Sequence, residues 1–500
     1  MPKVRLLREN EEVECERGAN LYALLAARDL VDGPCGGKGV CGKCAVGVDG
    51  RRVLACKYAV DKDVDVVTAP KDDIADIEVS GYHVEVEPDP ADEGALGLAV
   101  DVGTTTVVVT LVELRSGAEL RSASCLNSQK AYGQDVITRI HFTMDEPGGL
   151  AVLAGLVRAD LERLAAAVCA EKGVDPSQVR RVVVSGNTTM VHLFAGVDPS
   201  SIAQAPFTPR LTGAVRGTGA DFGLASLAEA EVFCVPCVAA YVGGDIVSGV
   251  VACDLLAPAS GRTLFIDIGT NGEIVLADAG ELVTCSCAAG PALEGMNISC
   301  GMRASAGAIE DVRIEGDSLS YRTIGGGEPR GICGSGIVAA VGQGVASGVI
   351  GRSGRLSKAS PLVARRDGRL ALVLDEARGL YLTQGDVRQV QLSKGAILAA
   401  IEALLHDRGL AAGDVARVVV SGQFGRHLSA ESLVDAGFFP RAWEGRITYT
   451  GNTSQSGAVL CLVSEEMRAR SERVGSHAHY LELSTLEGYD RLFVDAMAFG

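Results

Sequence analysis

The feature that most constrains this chain is that it repeats itself. The segment LGLAVDVGTTTVVVTLVEL at 96–114 returns in kind as RTLFIDIGTNGEIVLADAG at 262–280. Each copy is an apolar strand, an Asp-x-Gly-Thr turn and a second strand, which predicts a hairpin with a carboxylate and small polar residues at its tip. The endings match too. A helical period over about 150–172, with Leu153, Leu156, Leu161 and Leu164 on one side, leads to VVVSGNTT at 182–189. A second period over about 393–409, with Ile397, Ile401, Leu404 and Leu405, leads to VVVSGQFG at 418–425. Hairpin, helix and a β-branched strand ending in Ser-Gly, twice in one order, predict two related α/β lobes facing one another.

Two hairpin tips approaching from opposite lobes can pinch a polyphosphate between backbone N–H groups and Thr hydroxyls. The candidates are Gly103, Thr104, Thr105 and Thr106 on the first tip, and Gly269, Thr270 and Asn271 on the second. Asp101 and Asp267 are placed to hold Mg²⁺ through its waters, because this ion dehydrates reluctantly. The turns after the buried strands leave room for a nucleotide near the backbone: Gly186 and Asn187 in one, Gly422, Gln423 and Phe424 in the other. Asp245, in AYVGGDIVSG, is the candidate for orienting water or metal near a γ-phosphate. These segments resemble the superfamily of acetate and sugar kinases, heat-shock chaperone ATPases and actin. Its phosphate-1, phosphate-2 and adenosine motifs match 101–106, 267–272 and 418–425. The resemblance implies a duplicated, RNase H-like, two-lobed ATPase that takes ATP with Mg²⁺. One Asp-x-Gly-Thr is a weak signal; two, each followed by a matching Val-Val-Val-Ser-Gly, are a strong one.

The amino-terminal region carries a different chemistry. Of fifteen cysteines, four fall in Cys35-x5-Cys41-x2-Cys44-x11-Cys56, within a Gly-rich loop and just beyond it. Strands are expected at 4–7, 13–15, 45–48, 52–55 and 64–68, with a helix at 20–28: a small mixed sheet from which the loop hangs. Four thiolates suit a [2Fe–2S] cluster, and the glycines let N–H groups approach its sulfides. A structural zinc site favours two short-spaced Cys pairs, and only one C-x2-C occurs in this segment. GKGVCGKC at 37–44 resembles a phosphate loop with Cys44 in place of the hydroxyl residue, but no buried strand precedes it. The segment resembles a β-grasp [2Fe–2S] ferredoxin domain with a loop one residue longer than the plant-type spacing. That assigns Cys35, Cys41, Cys44 and Cys56 as ligands and leaves Cys15 as a buried residue.

An α/β multidomain organisation follows: 1–70 as the ferredoxin-like unit, 71–95 as a linker with one strand near 82–86, 96–256 as lobe I, and 257–500 as lobe II with a carboxy-terminal extension. The formal charge of −17 argues against nucleic acid, which requires a basic footprint. No signal-peptide h-region and no long uncharged apolar run occur, so a cytoplasmic protein without a membrane span is expected. Cys234-Val-Pro-Cys237 reads as structural. Glu294, Arg303 and Ser335 lie in small-residue-rich loops that either pack on a ligand or turn corners. His141, His192 and His406 form no ligand constellation. Residues 466–500 are expected to dock a final strand or helix on lobe II.

Together, SGNTTM, AYVGGDI, DIGTNGE, GPALEG, ICGSGI and SGQFG behind a four-cysteine loop resemble the reductive activators of corrinoid-dependent methyltransferases over nearly the whole chain. The resemblance implies a corrinoid protein and a low-potential electron donor as partners, with a homodimer as the assembly. It also implies reduction of Co(II) to Co(I) assisted by ATP. A one-electron deficit of ~100 mV costs roughly 2.3 kcal/mol, and ATP can offset it only by differential contact with the partner. A redox-regulated small-molecule kinase and a nucleotide-gated electron carrier are the alternatives. Activators of 2-hydroxyacyl-CoA dehydratases share the ATPase fold but hold a [4Fe–4S] cluster between subunits. Some relatives have a middle domain, for which the connector at 71–95 leaves no space.

Overall fold

The computed structural model describes residues 1–28, 30–31, 44–68, 83–257, 261–366, 368–422 and 429–500. Cys35, Cys41, Gln423 and Phe424 lie outside these described residues, as does most of the Gly-rich loop.

The amino-terminal unit is a five-stranded mixed sheet with one short helix. Strands Lys3–Leu6 and Glu11–Glu14 pair antiparallel, and Lys3–Leu6 pairs parallel with Val64–Val67. Strands Ala45–Val48 and Arg51–Leu54 complete the sheet. Helix Leu21–Ala26 starts where the Asn20 side chain accepts from the amides of Tyr22 and Ala23, and it buries Leu21 and Leu25 on the sheet. Cys15 is buried, one residue beyond its strand.

The two repeats fold alike. In the first, the sheet order is Glu119–Leu126, Thr106–Glu113, Leu96–Val102, Val179–Gly186, Glu231–Cys234 and Val215–Thr218. In the second it is Glu281–Cys287, Gly272–Asp278, Thr263–Ile268, Arg417–Ser421 and Ile447–Tyr449, with His479–Tyr480 added beside Glu281–Cys287. Each has an antiparallel three-strand meander followed by two strands parallel to the first. Their central strands are nearly continuous apolar runs because both faces are covered: Leu96–Val102 and Thr263–Ile268 expose little except Asp101 and Asp267.

One face of each sheet packs on its own long helix, Gly149–Ala170 in the first lobe and Gln384–Asp407 in the second. Between the opposite faces lie two crossing helices, Gly244–Ala252 and Thr453–Val463, which share one apolar cluster with both sheets. They cross with almost no separation. A Cβ on Gly457 would stand 2.2 Å from the Ser248 carbonyl oxygen, and one on Gly249 would stand 3.0 Å from the Thr453 hydroxyl. The second of these helices follows the lobe II strands yet lies on the lobe I sheet, where Arg181 donates to the Leu462 carbonyl at 2.8 Å.

Three details differ from the sequence reading. The strand expected near 82–86 is absent among its described residues: from 83 onward the chain is extended and laces onto helix ends instead. Val84 N–H donates to Ala252 O at 3.0 Å and Asp89 N–H to Val463 O at 2.8 Å. The helix expected from 393 begins at Gln384, because Thr383 and Asp386 form a capping box that fixes the start in a polar stretch. The small-residue loops of lobe II carry order of their own, a three-stranded sheet of Ala308–Glu315, Ser318–Thr323 and Gly331–Ile332. The carboxy-terminal piece docks as helix Tyr489–Ala496 on the long helix Gln384–Asp407, where buried Lys394 donates to the Ala496 and Ala498 carbonyls.

Replacing Gly457 by Ala drives a methyl group into the Ser248 backbone. The variant is expected to lose about 1–3 kcal/mol of stability, the usual cost of overpacking, read as a lower urea midpoint; an unchanged midpoint would contradict the close crossing.

Candidate functional site

The central strand of each sheet ends in an aspartate, and the strand partners build the same row around both. Across lobe I the aligned residues are Ser185, Asp101, Val108 and Ser124. Across lobe II they are Ser421, Asp267, Glu273 and Ser286. The duplication brings two Ser–Asp pairs to the cleft, and lobe II adds a carboxylate, Glu273, where lobe I has Val108. Sequence reading passed over Glu273 because it sits beyond the turn motif; the strand alternation of DIGTNGE, which returns the sixth residue after Asp267 to the same face, was the available signal.

The crossing helices tie the two rows together. Asn452 and Ser454, in the turn and first residues of helix Thr453–Val463, donate to the Asp101 carboxylate at 2.9 and 2.7 Å. Ser454 also shares a hydrogen bond of 2.9 Å with Ser185, which in turn meets Ser248 at 2.9 Å. On the other side Ser421 meets Thr453 at 2.6 Å. Asn452 and Ser454 were missed by sequence reading: GNTSQ at 451–455 has no motif character, and its partners are over 300 positions away in the chain.

The first hairpin tip is gripped from behind. Asn127 Nδ2 donates to Gly103 O at 2.9 Å, its backbone N–H donates to Thr105 O at 2.9 Å, and Arg139 donates to Thr104 O. Asn187 donates to the Thr104 hydroxyl at 2.9 Å. In a planar trans peptide the carbonyl and the following N–H point in opposite directions. With the carbonyls of Gly103 and Thr104 held inward, the amides of Thr104 and Thr105 face away, and they donate to no protein acceptor among the described residues. Thr106 begins the second strand, largely buried.

At the second tip the Thr270 carbonyl accepts from Gly290 N–H at 2.8 Å, and the Thr270 hydroxyl bonds to Glu294. The amides of Thr270 and Asn271 likewise have no protein acceptor among the described residues. Gly269 N–H closes the turn onto Asn271 O at 2.8 Å. Gly422 passes close to Asp267 with φ +98°, a conformation reserved for glycine, and a Cβ there would stand 3.0 Å from the carboxylate. Gly186 is buried at the end of its strand, where a Cβ would stand 2.7 Å from Val102 O. Of the residues left open by the sequence, Glu294 joins the site, Arg303 is exposed, and Ser335 is buried beside Cys333.

Electrostatics concentrate at the same place. Burial, then the nearby Asp267 and Asp101, push Asp245 up to about 7. Burial pushes Asp267 up to about 6, against a hydrogen bond from Ser421. Asp101 is raised by burial in spite of Asn452 and Ser454, and Glu273 is raised well above the carboxylate range by burial, Asp245 and Asp267. A cleft in which acids face one another without a cation suits a ligand that brings one. Among the described residues no three His, Cys, Asp or Glu side chains approach closely enough to hold a metal ion by themselves.

In the amino-terminal unit, Cys44 Sγ and Cys56 Sγ lie 3.2 Å apart, with Cys44 buried. That is closer than the ~3.8 Å at which two sulfurs bonded to one tetrahedral metal at ~2.3 Å would stand, so the two thiols are neighbours but are not spaced as ligands of one metal. Elsewhere, Cys234 and Cys237 are buried with their thiols pushed up, Cys237 to about 12, as inert core residues are. His192 is buried between Thr188 O and Leu211 N–H, with no open side for acid–base work. His141 and His406 are exposed on helices.

Comparison with known proteins places this arrangement. A family model described as the C-terminal domain of RACo, the ASKHA domain, matches residues 261–500, and one described as the RACo middle region matches residues 96–257. The middle region thus coincides with the first repeat. The match begins where the connector at 71–95 ends. The corrinoid activation enzyme RamQ of Eubacterium limosum is 31% identical over 81% of this chain and 70% of its own length. The [Co(II) methylated amine-specific corrinoid protein] reductase of Methanosarcina barkeri is 26% identical over 72% of this chain and 68% of its own. A solved structure, a reductive activator for corrinoid, iron–sulfur protein, superposes with a TM-score of 0.74 at 29% identity, covering 100% of this chain and 98% of the other. No described helix is long and apolar enough to cross a membrane.

The raised acids have a consequence for stability. An unfolded aspartate titrates near 3.9, so between there and about 7 the folded chain retains protons at Asp245 that the unfolded chain has given up. The ligand-free protein therefore loses stability as pH rises through that window. Asp245→Asn should flatten the decline and stabilise the ligand-free chain at pH 8, read by thermal unfolding across pH. Equal slopes in both proteins would contradict the assignment.

Proposed function

The chain belongs to the reductive activators of corrinoid proteins, and from that premise we propose that it uses Mg-ATP to drive one electron from an iron–sulfur cluster to a partner's cobalt. The reaction is Co(II) to Co(I) on a corrinoid protein of a methyltransferase system. The observation that carries the nucleotide half is the pair of tips whose carbonyls are tied back and whose amides at Thr104, Thr105, Thr270 and Asn271 are left for an anion.

Cys35, Cys41, Cys44 and Cys56 are the proposed ligands of a [2Fe–2S] cluster in a ferredoxin-like domain. When bound, such a cluster supplies a one-electron reductant whose potential is set by N–H groups near its sulfurs. The chain's part there would be to bring Cys44 and Cys56 together at the one open end of the antiparallel pair Ala45–Val48 and Arg51–Leu54.

At the nucleotide site, Gly103, Thr104, Thr105 and Thr106 on one side and Gly269, Thr270 and Asn271 on the other cradle the phosphates. Gly186, Asn187, Gly422, Gln423 and Phe424 border the nucleotide, and Asp101 and Asp267 hold waters of the accompanying Mg²⁺. Asp245, among acids that raise its pKa toward neutrality, orients the water that attacks the γ-phosphate. Because Asn452 and Ser454 reach Asp101 from the helix that follows the second lobe, a change at the phosphates bears directly on the lobe contact. That contact is the bistable element through which nucleotide would alter docking of the corrinoid partner. A homodimer and a separate low-potential donor complete the proposed system.

Two variants separate the halves. Cys44→Ala should abolish cobalt reduction while ATP binding stays within threefold. Asp267→Ala should weaken Mg-ATP binding by tenfold or more while iron content is retained. Iron analysis, nucleotide titration and the visible spectrum of the partner decide it, and identical losses in both variants would contradict the division of labour.

A further inference from the structure

The first hairpin tip rests on a buried positive charge that no carboxylate contacts among the described residues. Arg139, in helix Val136–Asp145, is among the largest fully buried side chains of the molecule. Its guanidinium donates to Gly133 O at 2.8 Å, to Gln129 Oε1 at 3.0 Å and to Thr104 O, and it touches Met190 Sδ at 3.3 Å. All are neutral groups, and Arg139 forms no ion pair among the described residues. Asp135 is the carboxylate that acts on it from a distance, and one oxygen of Asp135 caps the helix by accepting from Thr138 N–H at 2.8 Å. Burial draws the arginine down to about 9, so it remains charged at neutral pH.

Burying an ion without a counter-ion is costly and is normally avoided. A neutral residue able to donate to Thr104 O would hold the turn without that cost. The position of the charge explains it. A cation donating to the Thr104 carbonyl polarises that peptide, whose other end is the Thr105 N–H facing the cleft, and so makes that amide a stronger donor. The same charge projects its field through a low-dielectric wall onto whatever the tip binds.

We propose that Arg139 is a positioning residue for the nucleotide's phosphates, which act across the Thr104–Thr105 peptide as the counter-charge the protein does not supply. The inference rests on the ATP reading above and deepens it: a residue with no path to the ligand sets the tip's preference for a polyanion.

The test is ATP titration of the full-length protein and of three variants, each first checked for cooperative thermal unfolding. Arg139→Lys keeps the charge and should bind ATP within about threefold of the unaltered chain. Arg139→Gln keeps a donor but loses the charge, and Arg139→Met loses both; each should weaken ATP by tenfold or more and shrink the rise in melting temperature that ATP produces. A purely structural role predicts instead that Lys and Gln lose alike, or that neither loses, and either result overturns the proposal. If neither neutral variant folds, Arg139→Lys decides alone, a loss above tenfold counting against the role of charge. Failure of the unaltered chain to bind ATP would overturn the nucleotide reading itself, and this inference with it.

Discussion

Everything in the duplicated two-lobed half depends on two helices meeting almost backbone to backbone. Gly244–Ala252 and Thr453–Val463 cross where Gly457 faces the Ser248 carbonyl and Gly249 faces the Thr453 hydroxyl. Because no side chain separates them, both sheets can lay their inner faces on one shared apolar layer. That layer sets the spacing between the central strands, and hence between Asp101 and Asp267 and the tips beyond them. The same helix then reaches past its crossing point, through Asn452 and Ser454, to a carboxylate of the opposite lobe. Core packing and cleft chemistry are joined in one element.

The cleft is built to be incomplete by itself. Burial, and then neighbouring acids, raise the pKa of its carboxylates, tip carbonyls are tied away, and a buried arginine that contacts only neutral groups stands behind one tip. Acids gathered without a cation and amides gathered without an acceptor are unfavourable in a folded protein. The proposed magnesium–polyphosphate would relieve both, since it would bring the cation to the acids and the oxygens to the amides. Binding energy realised in this way is available to change how the lobes meet, which is the requirement for ATP to drive a reduction on another protein.

Much of this was legible in the sequence because the duplication is expressed in local pattern. Two apolar strands around Asp-x-Gly-Thr form hairpins from short-range information, and a Val-Val-Val-Ser-Gly run can only be a strand covered on both faces. What was not legible depended on distance or on polar detail. Asn452 and Ser454 matter because of a partner some 350 residues earlier. Arg139 carries no motif and is recognisable only by what it touches. The start of the helix at Gln384 is fixed by the Thr383–Asp386 cap in a stretch without apolar period.

The claim on which the account turns is that nucleotide at the cleft makes an electron transfer proceed that otherwise does not. The most direct measurement follows the visible spectrum of a Co(II) corrinoid partner mixed anaerobically with the reduced, unaltered chain, with Mg-ATP added or withheld. The account predicts that the Co(I) band grows when Mg-ATP is present and stays absent when it is withheld. A Co(I) yield equal in the two cuvettes would contradict it.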